Sequence, residues 1–133
     1  MHKHPICLPR LRKVPPQFSW VDQRLVRDGY IDQLSHEACA LYLFLVTVAD
    51  AQGLSFYSEQ SLCQRLSMTP AVLRQARQAL IACALVAYQR PLYQVLALDR
   101  DAMRPVAECL PPVGDEEPVD LKAVFKQIWE VLS

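Results

Sequence analysis

The strongest hydrophobic pattern in the chain starts after Ser35 and has the period of a helix. Ser35 is a good N-cap residue, and glycine suits a left-handed helix stop, so we predict a helix over residues 35–53. Its core face carries Ala38, Leu41, Tyr42, Leu45, Val48 and Ala49, and Leu43, Phe44 and Val46 lie on other faces. A helix that is apolar on several sides is expected at the centre of a domain or against a partner.

Two further helical patterns follow a short predicted strand at residues 54–57. Ser58 caps the first of them, and Thr69 with Pro70 gives a start signal for the second, which runs to about Ala84. The inward positions are Leu62, Cys63 and Leu66 in one helix and Leu73, Ala76, Leu80 and Cys83 in the other. Two helices joined by a turn of about three residues predict a helix-turn-helix.

The next segment has the composition of a β-hairpin. Residues 85–89 and 92–99 are rich in β-forming side chains, and they flank the break at Arg90 and Pro91. The predicted class is therefore mainly α with a small β-hairpin, an α+β fold.

Prolines suggest where the compact part of the chain begins and ends. Four of the ten precede Gln17, and four lie between Pro105 and Pro118. The predicted divisions are a basic arm at 1–17, a domain at 18–104, a proline-containing acidic linker at 105–118 and an amphipathic helix at 119–133.

The order helix, strand, helix, helix, hairpin resembles that of bacterial winged helix-turn-helix proteins. The stretch SLCQRLSMTPAVLRQARQALIACALVAY has their Leu, small-residue and helix-start pattern, with Ala84 where the pattern usually has glycine. The matching residues are Leu62, Cys63, Leu66, Thr69, Leu73, Leu80, Leu85 and Val86. The resemblance implies that the predicted helix from Pro70 to about Ala84 enters the DNA major groove and that the hairpin is the wing.

The upstream segment is similar to the lead-in of phage, plasmid and transposon-borne replication-initiator and regulator domains. In those domains a strand and a short helix precede a first helix of the pattern Leu-Ser-x-x-Ala-x-x-Leu-Tyr. Here the matching residues are Leu34, Ser35, Ala38, Leu41 and Tyr42.

Candidate DNA contacts lie on the polar face of the helix that starts at Pro70. Arginine bonds guanine bidentately and glutamine reads adenine, although an ordinary amphipathic helix also has a wet polar face. On the helix the candidates are Thr69, Arg74, Gln75 and Gln78, with Arg77 at the margin of the face. Arg90 at the wing tip is a candidate phosphate contact, and so are Arg10, Arg12 and Lys13 in the arm. The alternative is that the arm is a passive leader that does not contact DNA.

Charge is unevenly distributed, although the net charge is zero. Residues 1–27 carry six Lys/Arg and one acid, residues 28–56 carry four acids and no Lys/Arg, residues 57–104 are mildly basic and residues 105–133 are acidic. Any attraction to phosphate would therefore be local.

The chemistry of the side chains argues against an enzyme. Asp22, Asp28, Asp32, His36 and Glu37 cluster in sequence, but the last two belong to a helix start, and no nucleophile or phosphate-loop motif is present. His2, His4 and Cys7 lack a fourth ligand at zinc-like spacing, so we predict neither metal nor cofactor. Five widely spaced cysteines and no membrane-length apolar run predict a reduced, cytoplasmic protein.

The C-terminal segment carries an apolar stripe that is typical of a packing or partner interface. Phe125, Ile128, Trp129 and Leu132 belong to it, and Phe44 is a second candidate seam. We therefore expect a homodimer, unless the stripe packs back on its own domain or on another protein.

These features together predict a sequence-recognising protein that binds double-stranded DNA, either a transcriptional regulator or a mobile-element accessory factor. One alternative is a replication-initiator domain that acts with a protein partner from the same genetic element. The other is a winged-helix adaptor that binds protein and no nucleic acid. A continuous positive surface over Arg74, Arg77 and Arg90 would favour DNA, and an apolar surface there would favour the adaptor.

Overall fold

A computed structural model describes residues 2–98 of the chain. They form a mixed α+β fold of helices and one three-stranded antiparallel sheet, so the α+β part of the predicted class is confirmed. The elements are α1 Arg24–Arg27, α2 His36–Val48, β1 Leu54–Phe56, α3 Glu59–Leu66, α4 Pro70–Ala82, β2 Val86–Gln89 and β3 Leu92–Val95. No helix within this part of the chain is long and apolar enough to cross a membrane.

Helix α2 begins as predicted but ends earlier. The Ser35 hydroxyl accepts a hydrogen bond from the Ala38 amide at 3.1 Å and caps the helix. Its last residue is Val48, so the predicted extension to Gly53 is wrong. Asp50 replaces the missing helical turn, because one of its carboxylate oxygens accepts the backbone amides of Gln52 and Leu54 at 2.9 Å each.

Gly53 has a different purpose from the helix stop that its position suggested. Its backbone φ is +84°, and a Cβ at this position would lie 2.6 Å from the carbonyl oxygen of Val95. The Gly53 carbonyl in turn accepts a hydrogen bond from the Val95 amide at 2.8 Å. The glycine therefore lets the turn before β1 approach β3 closely.

Helices α3 and α4 have the predicted start signals. Ser58 accepts from the Ser61 amide at 3.1 Å, and Thr69 accepts from the Val72 amide at 3.3 Å, directly before Pro70. The connection between them consists of residues 67–69, of which Ser67 is left-handed with φ 54°. The three-residue turn between two helices is thus confirmed.

The sheet contains the predicted hairpin and one further pairing. Strands β2 and β3 are antiparallel, and Gln89 pairs with Leu92 across a two-residue loop of Arg90 and Pro91. Strand β1 pairs with the other edge of β3, so the strand order is β1-β3-β2. The upstream short helix that the resemblance implies corresponds to α1, whereas residues 18–23 form no strand.

The core lies between α2, α4 and the sheet. Leu41, Leu45, Leu73 and Leu80 are fully buried there, together with the ring of Tyr93. The apolar residues of α2 outside its core face therefore lie in three different environments, which the helical period alone does not predict. Val46 is buried, Phe44 is half-buried with its ring edge-on to Tyr57 at a centroid distance of 5.0 Å, and Leu43 is exposed.

The end of α4 is a left-handed cap made by an alanine. Ala84 has φ 56°, its amide donates to the Ile81 carbonyl, and the Leu85 amide donates to the Leu80 carbonyl, both at 3.0 Å. These two bonds form a Schellman motif, in which the left-handed residue is usually glycine. A Cβ in this conformation costs about 1 kcal/mol.

We predict that Ala84→Gly stabilises the protein by about 0.5–1 kcal/mol, because the strain at φ 56° is relieved. Chemical denaturation followed by circular dichroism measures the change. Ala82→Gly, two residues earlier and inside α4, is the matched control and should destabilise by a similar amount. Equal losses for both variants would show that the cap has no left-handed strain to relieve.

Candidate nucleic-acid interface

Helix α4 buries one side and exposes a polar one. Leu73, Ala76 and Leu80 enter the core, and Arg74, Gln75 and Gln78 lie exposed on the opposite side. The remaining exposed positions of the helix are Pro70, Ala71 and Ala82. The structure thus brings three of the predicted DNA-contact residues together on one surface, which we call the α4 face.

Arg77 does not belong to that surface. Its Nη1 donates to the hydroxyl of Tyr93 at 3.2 Å, and its Nη2 donates to Oε1 of Glu59 at 3.1 Å. The guanidinium carbon lies 4.2 Å from the centre of the Tyr88 ring, and the side chain is only 13% exposed. A residue at the margin of the polar face is therefore turned inward, where hydrogen bonds and a cation–π contact replace its hydration.

The contacts of Arg77 connect four elements. Glu59 lies in the first turn of α3, Tyr88 on β2 and Tyr93 on β3, while Arg77 itself belongs to α4. The two tyrosine rings also contact each other, with centroids 4.5 Å apart. This cluster, the Arg77 clamp, fixes the hairpin against the two helices, and none of its three partners was singled out from the sequence.

The charge states within the clamp are well defined. Burial works against the charge of Arg77, but hydrogen bonds from its guanidinium to Tyr93 and Glu59 outweigh it, so the pKa of Arg77 lies above its usual value. Burial raises the pKa of Tyr93, and the nearby guanidinium only partly opposes this. At neutral pH the clamp therefore contains a charged arginine and a protonated tyrosine, which suits a permanent structural contact.

Arg74 shares Glu59 with the clamp but remains available. Its Nη1 lies 3.9 Å from Oε2 of Glu59, and its side chain is 57% exposed. An exposed ion pair at this distance contributes little free energy and exchanges readily with other anions. Arg74 is therefore the cation of α4 that a ligand can reach.

The tip of the hairpin lies beside α3 and the turn that follows it. An open cleft of about 570 Å³ separates exposed Arg90 from residues that include Gln60, Gln64 and Met68. Thr69, a further predicted contact, is exposed at the N-terminus of α4, where its hydroxyl is already engaged as the helix cap.

The other predicted site residues lie outside the α4 face. Arg10, Arg12 and Lys13 are exposed in the N-terminal arm, and Phe44 is engaged with Tyr57 in its own domain. Phe125, Ile128, Trp129 and Leu132 lie outside the described residues. Among residues 2–98, no three His, Cys, Asp or Glu side chains come together as a metal-binding group.

The two halves of the domain differ in charge. Residues 57–98, which contain α3, α4 and the hairpin, carry four arginines and one acid, Glu59. Residues 28–56, which contain α2 and β1, carry four acids and neither lysine nor arginine. The α4 face therefore lies in the basic one of these two segments.

No protein-family model, curated protein or solved structure matches the chain. The interpretation of the α4 face therefore depends on its geometry and its side-chain chemistry.

We predict that Arg77→Ala lowers the free energy of unfolding by about 2–3 kcal/mol, because it removes charged hydrogen bonds from buried Tyr93 and half-buried Glu59. Arg77→Lys should recover only part of this, since one ammonium cannot reproduce the planar fork. Arg74→Ala, a matched change in the same helix beside the same carboxylate, should cost less than about 0.5 kcal/mol. Denaturant unfolding measures all three, and equal losses at Arg74 and Arg77 would contradict the clamp.

Proposed function

We propose that this protein binds double-stranded DNA as a winged helix-turn-helix regulator, with α4 as the recognition helix and the β2–β3 hairpin as the wing. The observation that carries the proposal is the α4 face, where Arg74, Gln75 and Gln78 project together from a helix whose other side is anchored in the core. The three-residue turn between α3 and α4 supports the same assignment.

The dimensions and the chemistry of the α4 face suit the major groove. The 13 residues of α4 span about 20 Å along the helix axis. The major groove is about 12 Å across, which is wide enough to admit an α-helix lengthwise. Arg74 offers the planar fork that bonds O6 and N7 of guanine, and the amides of Gln75 and Gln78 offer the donor and acceptor that match adenine. The small side chains of Ala71 and Ala82 allow the helix backbone to approach the base edges.

The exposed surface of α4 favours DNA over a protein adaptor. In the described part of the chain, the large apolar side chains that are exposed all precede Tyr57, and none of them belongs to α4. An adaptor that used this helix would need apolar anchors there. The α4 face instead presents polar groups and one accessible cation, Arg74, within the basic segment of residues 57–98. These features suit nucleic acid better than a protein partner.

The wing contributes through Arg90. Two residues form its loop, so the tip is too short to follow the minor groove far, and phosphate is the natural partner of the exposed guanidinium. The Arg77 clamp would hold this tip at a fixed distance from α4, so that phosphate and base contacts are made together.

The first test measures base reading. We expect a duplex selected from a random pool to bind about 5–150-fold more weakly to Arg74→Ala and to Gln78→Ala, since each good bidentate contact is worth about 1–3 kcal/mol. Fluorescence anisotropy at fixed salt gives the affinities. The matched controls are Arg27→Ala in α1 and Gln52→Ala in the turn before β1, exposed residues outside the α4 face, which should bind as the unmutated protein does. The proposal fails if the unmutated protein selects no sequence, or if the controls weaken binding as much as the α4 variants.

The second test measures phosphate contact. Arg90→Ala should weaken selected and random duplexes alike and reduce the slope of log affinity against log salt by about 0.9, the value for one lost phosphate contact. Arg27→Ala again serves as the control. A loss restricted to the selected duplex would make Arg90 a base reader, and an unchanged affinity for both duplexes with an unchanged slope would exclude it from the interface.

A further inference from the structure

The N-terminal arm, residues 2–17, is exposed along its whole length. It is nevertheless not a polar leader. Leu8, Leu11 and Val14 expose 67%, 54% and 77% of their surface, and Ile6 is fully exposed. Apolar side chains of this size gain free energy when they leave water, at about 25 cal/mol per Å². The arm therefore carries the features of a segment that docks on a protein surface.

The spacing within the arm sorts these side chains from the charges. Leu8, Leu11 and Val14 recur every third residue, and both the 3₁₀ turn at Leu8–Arg10 and an extended polyproline helix have three residues per turn. Leu11 has φ −58° and ψ 136°, close to polyproline values. The three apolar residues then share one edge, and Arg10 and Lys13, also three apart, share another.

A surface that complements the arm lies on α2 of the same fold. The exposed positions of this helix are His36, Glu37, Leu43 and Thr47, which we call the α2 face, and Leu43 is 61% exposed. The segment of residues 26–32, which precedes the helix in the chain, also exposes Val26, Asp28, Ile31 and Asp32, and Asp28 lies 3.8 Å from the side chain of Arg27. The α2 face and this segment together offer apolar and acidic side chains to an arm that has one apolar and one basic edge.

The chain leaves its domain beside this surface. The Ser19 hydroxyl donates to the Thr47 carbonyl of α2 at 2.9 Å, and Thr47 lies one helical turn from Leu43. Sixteen arm residues reach about 50 Å when extended, more than twice the length of about 20 Å that α2 spans. An arm anchored here can therefore cross to the same face of a neighbouring molecule.

We infer that the arm of one molecule docks on the α2 face of a second copy, and that the second copy returns the same contact. Charge identifies the occupant: the arm carries four Lys/Arg and no acid, and residues 28–56 carry four acids and no Lys/Arg. A second copy supplies both halves of this match, and a two-fold exchange satisfies both at once. The exchange leaves the α4 face open and does not depend on DNA binding.

Charge reversal in the full-length protein tests the exchange, with no nucleic acid present. One variant carries Arg10→Glu, Arg12→Glu and Lys13→Glu in the arm, and the other carries Glu37→Lys on the α2 face with Asp28→Lys and Asp32→Lys in the segment that precedes it. Sedimentation equilibrium at micromolar concentration gives the masses. We expect twice the 15.1 kDa chain mass for the unmutated protein, a monomer for each variant alone and a heterodimer for their equimolar mixture.

A second pair of changes tests the apolar contribution without altering charge in the arm. Leu8→Ser with Leu11→Ser should also produce a monomer, and because both residues are exposed the fold should keep its circular dichroism spectrum. Val21→Ser is the matched control, since it is similarly exposed but follows the Ser19 anchor, and it should remain dimeric.

Several outcomes would overturn the inference. An unmutated monomer removes it, and a dimer that survives both sets of charge reversals places the seam elsewhere. Monomeric variants that fail to form a heterodimer on mixing would show that the two charged surfaces do not face each other. If the arm variants keep the dimer mass but bind random duplex DNA more weakly, the arm serves DNA rather than a second copy.

Discussion

The guanidinium of Arg77 is the contact on which the arrangement of the domain depends. The β2–β3 hairpin is anchored by the pairing of β3 with β1 and by the burial of Val86 and Tyr93, and Arg77 adds the polar contact that joins it to both helices. Here α3, α4, β2 and β3 meet at one planar cation, through two hydrogen bonds and one ring face. Because such a cation is costly to leave unpaired, the partners must stay in place for the domain to be stable. The cluster therefore helps to hold the hairpin that carries Arg90 against the helix that carries Arg74.

The clamp also divides the arginines of α4 into two kinds. Arg77 and Arg74 lie three residues apart and share the carboxylate of Glu59, but one is enclosed and the other is largely exposed. On the same helix, the charge of Arg77 is therefore used within the fold, and the charge of Arg74 is available to a ligand. A similar separation recurs along the sequence, because residues 57–98 are basic and residues 28–56 are acidic. Any attraction to phosphate would therefore be local.

The features that the sequence predicted correctly are local ones. Caps at Ser35, Ser58 and Thr69, the helical periods and the hairpin around Arg90 each depend on residues within a few positions of one another. The predicted end of α2 is wrong because Asp50 offers the backbone a competing turn.

Contacts between distant positions are not predictable from a local pattern. The close approach of Gly53 to Val95 joins positions 42 residues apart, and the contacts that turn Arg77 inward come from Tyr93 and Glu59, which are 16 and 18 residues away.

The polar surface of α4 is the central feature of the proposed function, and its own side chains report on it directly. The side-chain amide signals of Gln75 and Gln78 in a nitrogen–proton correlation spectrum can be followed as duplex DNA is added at low salt. We expect these signals and the backbone signals of α4 to shift, while those of α2 remain unchanged. Shifts confined to α2, with both glutamine side chains unaffected, would contradict the assignment of α4 as the DNA-reading helix.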